Sequence, residues 1–388
     1  MNVLVINAGS SSLKYQLIDV DTAKVFAKGN CERIGLKNAF VTHEAAGEKR
    51  KIDLDLPNHK AAVQEVFDLL KEQDIKIDGI GHRVVMGGVY FPESAIATPE
   101  ALAKVREVAP LAPLHNYAEA DVIEICQKSF PEIGNVIVPD TAFHFDMPEV
   151  AWRYALPRKV TDELHIRKYG AHGTSHRYIW RATKEFMGDK THKIVSAHIG
   201  SGASLCAIHD GKSIETTMGL TPLDGLIMGT RTGTIDPATV VYLQREGGYS
   251  VDEVDTMMNK ESGLLALSEI SSDVRDVCAG AEKGDTNAQL ALAMYAYRAG
   301  QLIMEMAQSM QGWDTLAFSA GVGENSHEVR KMICDNLVWV GLKLDEKKNL
   351  VRSDAVREIS TPDSSIHVLV VPTNEELMIA TDVAELLG

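Results

Sequence analysis

Small and hydroxyl-bearing residues follow the first apolar run of the chain and precede a lysine. The stretch reads Asn-Ala-Gly-Ser-Ser-Ser-Leu-Lys over residues 7–14. A tight turn needs only one or two flexible residues, whereas this loop offers a row of hydroxyls and backbone N–H groups suited to an anion. The stretch therefore predicts a phosphate-contacting loop close to Lys14, and an ordinary Gly/Ser hairpin is the alternative.

Two arginines stand in loop-like surroundings. Arg83 follows an apolar run and a Gly-His pair, and Arg231 lies in Gly-Thr-Arg-Thr-Gly over residues 229–233, which contains too much glycine for a helix. A guanidinium in such a loop can neutralise a bound anion or simply pair with an acidic side chain. The sequence leaves both roles open for each arginine.

His172 and His176 are four residues apart, a spacing that invites a metal-site interpretation. The residues between them, Gly-Thr-Ser, give neither a His-Glu-x-x-His motif nor a clear helix. We therefore expect a polar helix start with Thr174 or Ser175 as its N-cap, and a structural role for His176.

Asp140 and Glu375 each follow an apolar, proline-terminated run. A carboxylate in this position is commonly a helix N-cap, and Glu375 could also favour the positive end of a final helix. The alternative is a ligand site, because open α/β sheets bind ligands beyond the carboxyl ends of their strands.

The composition is that of a globular enzyme of two or three domains, with 388 residues, 45% hydrophobic and 24% charged. A net charge of −15 argues against nucleic acid or an anionic membrane as the main partner. Five scattered cysteines suggest neither disulfides nor zinc, and no signal-peptide pattern follows Met1, so we expect a cytoplasmic protein. No Walker motif occurs, and neither Gly-Ser-Gly (200–202) nor Gly-Val-Gly (321–323) completes a Rossmann fingerprint.

A faint internal repeat organises the chain. Strands are expected over 3–6, 13–18 and 24–27, and the same pattern returns over 193–199, 203–208 and 212–217. Residues 77–83 then match 314–325, each a strand running into a glycine-containing loop, and 136–141 match 368–376. Helices are expected over 60–71, 99–108, 117–128, 288–310 and 375–387. The order βββαβαβα, given twice, predicts two similar α/β domains facing a central cleft.

Motifs along essentially the whole chain resemble those of the acetate kinase family, within the acetate and sugar kinase, Hsp70 and actin superfamily. The matching stretches are NAGSSSLK (7–14), GHRVV (81–85), PLAPLHN (110–116), PDTAFH (139–144), YGAHGTSH (169–176), HIGSGAS (198–204), TPLDGLIMGTRTGTIDP (221–237), DVRD (273–276), GVGENS (321–326) and PTNEE (372–376). The resemblance implies two duplicated domains with an actin-like, ribonuclease H-like core. The first domain would span 1–148 plus 376–388, and the second, carrying the nucleotide site, 149–375.

The resemblance implies reversible, Mg²⁺-dependent phosphoryl transfer from ATP to acetate, giving acetyl phosphate and ADP by direct in-line transfer. Such a reaction needs no protein nucleophile, so catalysis is mainly positioning and charge neutralisation. A kinase of propionate or another short-chain carboxylate is the close alternative. A non-catalytic ATP-switched module is the alternative from another class. Against it, the chain ends directly after the last helix, leaving no room for a peptide-binding domain, and such a module does not need both Arg83 and Arg231.

Roles for individual residues are likewise what the resemblance implies. The catalytic set is Arg83, Asp140, His172 and Arg231. The substrate wall, together with Arg83, is Val85, Leu114, Ala171 and Pro222; some members carry Phe where Ala171 stands. The ATP set is Lys14, His198, Ile199, Gly200, Ser201, Gly202, Asp273, Val274, Arg275, Gly321, Val322, Gly323, Glu324 and Asn325. Asn7 and Glu375 would hold Mg²⁺, with Mn²⁺ as a substitute, and the protein would be a homodimer. The apolar helix over 288–310 could serve as core or share in that interface.

Overall fold

A computed structural model describes all 388 residues, which divide into two compact units. Unit 1 comprises residues 1–145 and 374–388, and unit 2 comprises residues 146–373. Glu375, which the sequence analysis assigned to the second domain, falls in unit 1 because it begins a helix that packs on the sheet of that unit. None of the helices is both long enough and apolar enough to cross a bilayer.

Unit 1 contains eight strands and four helices. The strands are β1 (Asn2–Ala8), β2 (Ser12–Asp19), β3 (Lys24–Glu32), β4 (Phe40–Ala45), β5 (Glu48–Asp53), β6 (Gly79–Val84), β7 (Ala95–Ile96) and β8 (Gly134–Pro139). The helices are α1 (His59–Lys71), α2 (Pro99–Glu107), α3 (Asn116–Ser129) and α15 (Glu375–Leu387). They surround one sheet in the order β5-β4-β3-β2-β1-β6-β8-β7, in which β1, β6 and β8 are parallel.

The first strand is apolar on both faces because helices cover both sides of it. Leu4 and Ile6 pack in the cluster that contains residues of α1 and α3, whereas Val3 and Val5 pack against α15. Glycines on β6 let α15 come close, since a Cβ at Gly81 would stand 2.6 Å from the Cγ2 atom of Ile379. The C-terminal helix is thereby fixed on the sheet of unit 1.

Unit 2 contains six strands and eleven helices. The strands are β9 (Lys193–Ile199), β10 (Ala203–His209), β11 (Lys212–Thr216), β12 (Thr315–Ser319), β13 (Arg357–Glu358) and β14 (His367–Val370). The helices are α4 (Glu149–Trp152), α5 (Arg158–Glu163), α6 (Gly173–Met187), α7 (Pro237–Arg245), α8 (Val251–Lys260), α9 (Gly263–Ser268), α10 (Val274–Glu282), α11 (Thr286–Ser309), α12 (Ala320–Asn325), α13 (His327–Asp335) and α14 (Glu346–Leu350). The sheet order is β11-β10-β9-β12-β14-β13.

The predicted repeat is confirmed by the strand orders, because β3-β2-β1-β6-β8 and β11-β10-β9-β12-β14 have the same connectivity. In both units, one helix packs on strands other than those that precede it in the sequence. Helix α6 follows the last strands of unit 1 but packs on β9 and β12, and α15 follows β14 but packs on β1, β6 and β8. Strands β4 and β5 were not predicted from the sequence. The prediction of a loop over residues 321–325 was wrong, because these residues belong to α12.

Candidate active site

Parallel strands bring three polar side chains of unit 1 to one sheet edge. Asn7 is the penultimate residue of β1, Arg83 is the penultimate residue of β6, and Asp140 directly follows β8. Since β6 is parallel to both neighbours, the three carboxyl ends meet at the same edge. Thr141 occupies the N-cap position of the short helix that follows, residues 142–144, so the N-cap interpretation does not hold for Asp140.

Arg83 is held by its neighbours in a nearly closed environment. Its Nη2 lies 2.6 Å from Oδ2 of the fully buried Asp140, and its Nη1 donates to Oδ1 of Asn7 at 3.4 Å. Burial by itself would lower the pKa of Arg83, but Asp140 and Glu375 raise it above its ordinary value. The buried Nε has no hydrogen-bond partner. The guanidinium is therefore charged, and beyond these two bonds three of its five N–H groups are unused.

Two further carboxyls share this buried environment. Burial and the nearby Asp140 raise the pKa of Glu375 to about 7. Burial likewise raises the pKa of Glu119 to about 8, against the favourable charge of Arg83. Oε2 of Glu119 accepts the backbone N–H of Val85 at 3.0 Å, and its Oε1 is buried without a partner. One arginine thus faces three carboxyls.

Glu119 was missed by the sequence analysis, although a signal for it exists. In α3 it lies on the buried face with Val122, Ile123 and Cys126, at the spacing of an apolar helical stripe. An acidic residue on such a stripe needs a partner or a proton. The pattern of the predicted helix over 117–128 is therefore sufficient to single out this glutamate.

The predicted phosphate loop is a short hairpin between β1 and β2. The N–H of Gly9 donates to the carbonyl of Ser12 at 2.9 Å. Asn7 and Lys14 are directly opposed in the β1–β2 register, and Lys14 is exposed. The positive charge of Lys14 also lowers the pKa of Glu375, although less than burial and Asp140 raise it. Lys14 therefore belongs to the same edge as Arg83.

In unit 2, His172 stands at the N-cap position of α6 in a left-handed conformation, with φ of 56° and no side-chain capping bond. Thr174 and Ser175 lie inside the helix, so the prediction that one of them is the N-cap was wrong. Ser175 instead hydrogen-bonds Nδ1 of His198 through its hydroxyl at 2.8 Å. The ring of His172 stacks on that of His198 with centroids 4.1 Å apart.

Arg231 lies in an irregular loop, as expected from its glycines and threonines. Its Nη1 donates to the carbonyl of Pro222 at 2.9 Å and lies 3.6 Å from the sulfur of Met228. Burial lowers the pKa of Arg231 below its ordinary value, and no acidic side chain acts against that shift. The guanidinium is a half-buried cation whose hydrogen bonds go to neutral acceptors only.

Gly202 marks the point where two donors of unit 2 converge. A Cβ atom built there would stand 3.5 Å from Nη1 of Arg231 and 3.6 Å from Nε2 of His172. Because glycine has no side chain, that space is open to a ligand atom. A guanidinium and an imidazole reaching the same space suit an anionic oxygen.

The residues of the expected substrate wall lie in different surroundings. In unit 1, Val85 is buried and Leu114 is 59% exposed. In unit 2, Ala171 is buried immediately before His172, and the carbonyl of Pro222 contacts Arg231. The structure thus brings Ala171 and Pro222 next to catalytic candidates of their own unit.

A cavity of about 630 Å³ opens in unit 2, within the usual size range of ligand pockets. The predicted ATP residues that line it are Gly200, Ser201, Asp273, Val274, Arg275, Gly321, Val322 and Asn325. Lining residues that the sequence analysis missed are Gly229, Leu264, Ser272, Cys278, Ala279, Glu282, Tyr295, Ser326, Glu328 and Arg352. Half of these lie on α10, α11 and α13, where only helix packing decides which face meets the cavity.

Other predicted ATP residues have internal partners instead. Oε1 of Glu324 accepts the backbone N–H groups of Ala320 and Thr373 at 2.9 and 3.0 Å. The carbonyls of Gly323 and Glu324 each accept from Nη1 of the buried Arg330 at 2.9 Å. These bonds hold α12 against its surroundings, and neither Gly323 nor Glu324 lines the cavity. His198, Ile199 and Gly202 do not line it either.

Asp273 and Arg275 contact each other at the edge of the cavity. Asp273 is the N-cap of α10 and accepts the Arg275 N–H at 2.9 Å, and its Oδ2 lies 2.5 Å from Nη2 of Arg275. The hydrogen bonds from Arg275 lower the pKa of Asp273 to about 2. Asp273 is therefore an ionised cap whose role is partly structural.

Oxygen donors suited to a hard cation occur in unit 1. No three His, Cys, Asp or Glu side chains form a protein-only metal cage. Magnesium, however, is usually bound by one or two carboxylates, with water and substrate phosphates completing its shell. The amide oxygen of Asn7 and the carboxyl of Glu375 match that chemistry. The excess of buried carboxyls over arginine also favours a cation.

Comparison of the sequence with protein families gives one full-length match. The model of the acetokinase family matches residues 2–381. An acetate kinase of Thermoanaerobacterium thermosaccharolyticum is 46% identical, with 100% of this chain and 99% of that protein covered. Acetate kinase 2 of Clostridium perfringens is 48% identical, with both chains covered in full.

Solved structures agree with the sequence comparison. The acetate kinase of Porphyromonas gingivalis superimposes with a TM-score of 0.94 at 40% identity, covering 100% of both chains. A propionate kinase of Francisella tularensis gives the same TM-score and identity, with 99% of each chain covered.

Proposed function

The chain belongs to the acetokinase family, and on that premise we propose which of its residues transfer the γ-phosphoryl group of ATP to acetate. The chain is a kinase that phosphorylates acetate. The reaction is reversible and gives acetyl phosphate and ADP. The observation that carries the assignment of residues is the convergence of Arg231 Nη1 and His172 Nε2 on the space beside Gly202.

Charge neutralisation is the main task of the protein groups in such a transfer, because the acetate carboxylate is itself the nucleophile. Arg231 and His172 donate to the oxygens of the transferring phosphoryl group, and Arg83 holds the carboxylate of acetate through its remaining N–H groups. Asp140 fixes the orientation of Arg83. Lys14 contacts a phosphate of ATP. The protein forms no covalent intermediate, and the transfer is in line.

The nucleotide occupies the cavity of unit 2 in this proposal. Gly321 is suited to lie under the adenosine, because a Cβ there meets nothing within 4 Å. Gly200 and Ser201 come from the hairpin next to Gly202, which would direct the phosphates toward Arg231 and His172. Filling the cavity with a larger residue at Gly321 should therefore raise the KM for ATP more than the KM for acetate.

Magnesium fits the oxygen donors of unit 1. Asn7 and Glu375 would hold it, with Mn²⁺ as a substitute, and the bound ion would neutralise phosphate charge during transfer. Buried next to Asp140, the carboxyl of Glu375 retains its proton up to about pH 7 without a cation. A nearby divalent cation would favour its ionised form.

The acyl group of the substrate lies against Val85, Leu114, Ala171 and Pro222 in this proposal. Ala171 has a small side chain, so propionate is the alternative substrate to consider. The propionate kinase of Francisella tularensis, which is as similar in structure as an acetate kinase, gives that alternative its specific support. Burial of one extra CH₂ contributes only about 0.8 kcal/mol of binding free energy, so the protein should discriminate only weakly between acetate and propionate.

We also propose a cytoplasmic homodimer. All five cysteines are free thiols, which suits a reducing compartment. The long helix α11 exposes Leu290, Met294 and Tyr297 while burying Met306 in the core. That exposed face is a candidate for the dimer interface, and sedimentation at several concentrations would test it. A net charge of −15 gives no reason to expect nucleic acid or a membrane as a partner.

The activity is tested by incubating the protein with ATP, Mg²⁺, acetate and hydroxylamine. Acetyl phosphate should be trapped as acetyl hydroxamate, and no product with any short carboxylate would instead indicate an ATP-switched module. The site is tested by Gly202→Ala, whose methyl group would enter the space between the two donors. We expect kcat to fall about tenfold or more with an unchanged melting temperature. If kcat were unchanged, the transferring phosphoryl group would not occupy the space beside Gly202.

A further inference from the structure

Four side chains of unit 2 form a continuous chain of hydrogen bonds that ends at His172. Nδ1 of His172 lies 2.9 Å from Oγ of Ser204, and the same oxygen lies 2.8 Å from Nε2 of His176. Nδ1 of His176 lies 2.8 Å from Oγ of Ser196. Ser204, His176 and Ser196 are fully buried, so each depends on protein partners. We call these four residues the His–Ser chain.

We propose that the His–Ser chain fixes the ring tautomer of His172, with Ser204 and His176 as positioning residues. The proposal rests on the proposed function in one respect, namely that His172 donates a hydrogen bond from Nε2 to the transferring phosphoryl group. The polarity of every other bond then follows from counting protons.

With both imidazoles neutral and the single hydroxyl proton of Ser204 directed at one of them, Ser204 donates to one imidazole and accepts from the other. When His172 carries its proton on Nε2, its Nδ1 is an acceptor and receives the proton of Ser204. Oγ of Ser204 then accepts from Nε2–H of His176. Nδ1 of His176 is consequently unprotonated and accepts from the hydroxyl of Ser196. Every bond has one donor and one acceptor, and both rings are neutral.

The opposite polarity would harm the proposed reaction. It would place the proton of His172 on Nδ1 and leave the lone pair of Nε2 facing the space beside Gly202. A lone pair there would repel a phosphoryl oxygen, whereas Nε2–H attracts it. The ring of His198, stacked on His172 and held by the hydroxyl of Ser175, keeps the imidazole plane in position.

Nitrogen NMR of the protein labelled with ¹⁵N in its histidines tests the tautomer directly. The His172→Gln variant identifies the signals of residue 172. We expect protonated Nε2 and unprotonated Nδ1 at both His172 and His176, and a shift of His172 toward the Nδ1–H form or a mixture in Ser204→Ala. A wild-type His172 protonated on Nδ1, or a tautomer unmoved by Ser204→Ala, would overturn the proposal.

Kinetics provide the second measurement. Ser204→Ala should lower kcat about tenfold, the value of one orienting hydrogen bond, with both KM values within about twofold of wild type. Ser196→Ala removes a more distant member and should have a smaller effect in the same direction. Thr183→Val is the matched control, because it deletes a buried hydroxyl that has no hydrogen-bond partner and lies on α6, the helix that carries His176; its kcat should be unchanged.

A double-mutant cycle separates this proposal from the proposed function. If Ser204 acts through His172, then Ser204→Ala should cost nothing further in a His172→Ala background. Additive losses would refute the His–Ser chain while leaving His172 as a donor. Normal kcat in His172→Ala would refute that donor role. The tautomers measured by NMR would then be the only test of whether the His–Ser chain fixes the ring of His172.

Discussion

Arg83 of unit 1 and Arg231 of unit 2 are held in opposite ways. Arg83 contacts a buried carboxylate at 2.6 Å, and Asp140 and Glu375 raise its pKa. Arg231 contacts a carbonyl oxygen and a thioether, and burial lowers its pKa. The first charge is compensated inside the protein, whereas the second is available to a ligand.

The same contrast appears in the hairpins that open the two sheets. The residue pair next to the turn is Asn7 and Lys14 in unit 1 and His198 and Ser204 in unit 2. Unit 1 thus combines cations with carboxyls, while unit 2 presents neutral donors and one uncompensated arginine. Removing the charge of Arg83 should therefore affect folding as well as catalysis, whereas removing that of Arg231 should affect catalysis alone.

Arg83→Ala should have the largest effect, because it should lower both turnover and stability. Turnover should fall by at least about 10², roughly 2.7 kcal/mol of transition-state stabilisation. The free energy of unfolding should also fall by about 3–5 kcal/mol, since the buried carboxylate of Asp140 would lose the guanidinium that lies 2.6 Å from it. Steady-state kinetics and urea unfolding measure the two losses. An unchanged unfolding curve would contradict the structural half of this prediction.

Arg231→Ala should lower turnover by a similar factor of at least about 10². Its free energy of unfolding should stay within about 1 kcal/mol of wild type, because no carboxylate loses a partner. The same two assays apply. If both arginine variants lose equal stability, the contrast between the units is wrong, and if Arg231→Ala turns over normally, its catalytic role is wrong.

Glu375→Gln should raise the Mg²⁺ concentration needed for half-maximal activity about tenfold, because one of few metal-directed carboxyls is lost. A magnesium titration at saturating ATP and acetate measures this. The control is Glu376→Gln, which removes the neighbouring charge. Equal titrations in all three proteins would indicate that Glu375 serves only the start of α15.

Glu119→Gln should change how stability depends on pH. The unfolded carboxyl releases its proton near the ordinary value, whereas the folded one retains it to about pH 8. The folded state binds more protons between about pH 4.5 and 8, so the unfolding free energy of wild type falls as pH rises there. The variant should lose less stability over this range.

Urea midpoints at pH 5, 7 and 9 check this expectation. The exposed Glu132→Gln serves as the control and should follow wild type. If the unfolding free energy of the Glu119→Gln variant falls with pH as steeply as that of wild type, Glu119 is not the group that titrates.

Ala171→Phe should have the smallest effect and concerns selectivity. Propionate should be used by the wild type within about two orders of magnitude of acetate in kcat/KM, and butyrate should be markedly poorer. A phenyl group at this buried position would reduce space for the longer acids and shift the ratio toward acetate. Competition assays with the three acids measure the ratio of kcat/KM values, on a variant checked for a native melting curve. If the ratio is the same in the variant and the wild type, Ala171 does not contact the acyl group.

Much of the fold could be predicted because local patterns carry it. The alternating apolar runs at 3–6 and 193–199 and the helical stripe at 375–387 depend on near neighbours in sequence. Strand β5 was missed because Glu48–Asp53 is exposed and charged, so it carries no apolar alternation, and β4 was missed because His43 interrupts the apolar residues on its buried face. The helix at 320–325 was missed because two glycines in six residues argue against a helix, which is stabilised by Arg330 from outside and by the side chain of Glu324 from within.

The sequence by itself determined the family motifs, the repeat, the positions of Arg83 and Asp140 at strand ends and the loop position of Arg231, since these follow from local residue patterns. Only the tertiary structure decided that Glu119 joins the cluster around Arg83, that Glu324 turns away from the cavity, and that Ser204 bridges two histidines. These contacts join residues far apart in the chain. Their partners depend on side-chain packing after folding, which no local pattern specifies.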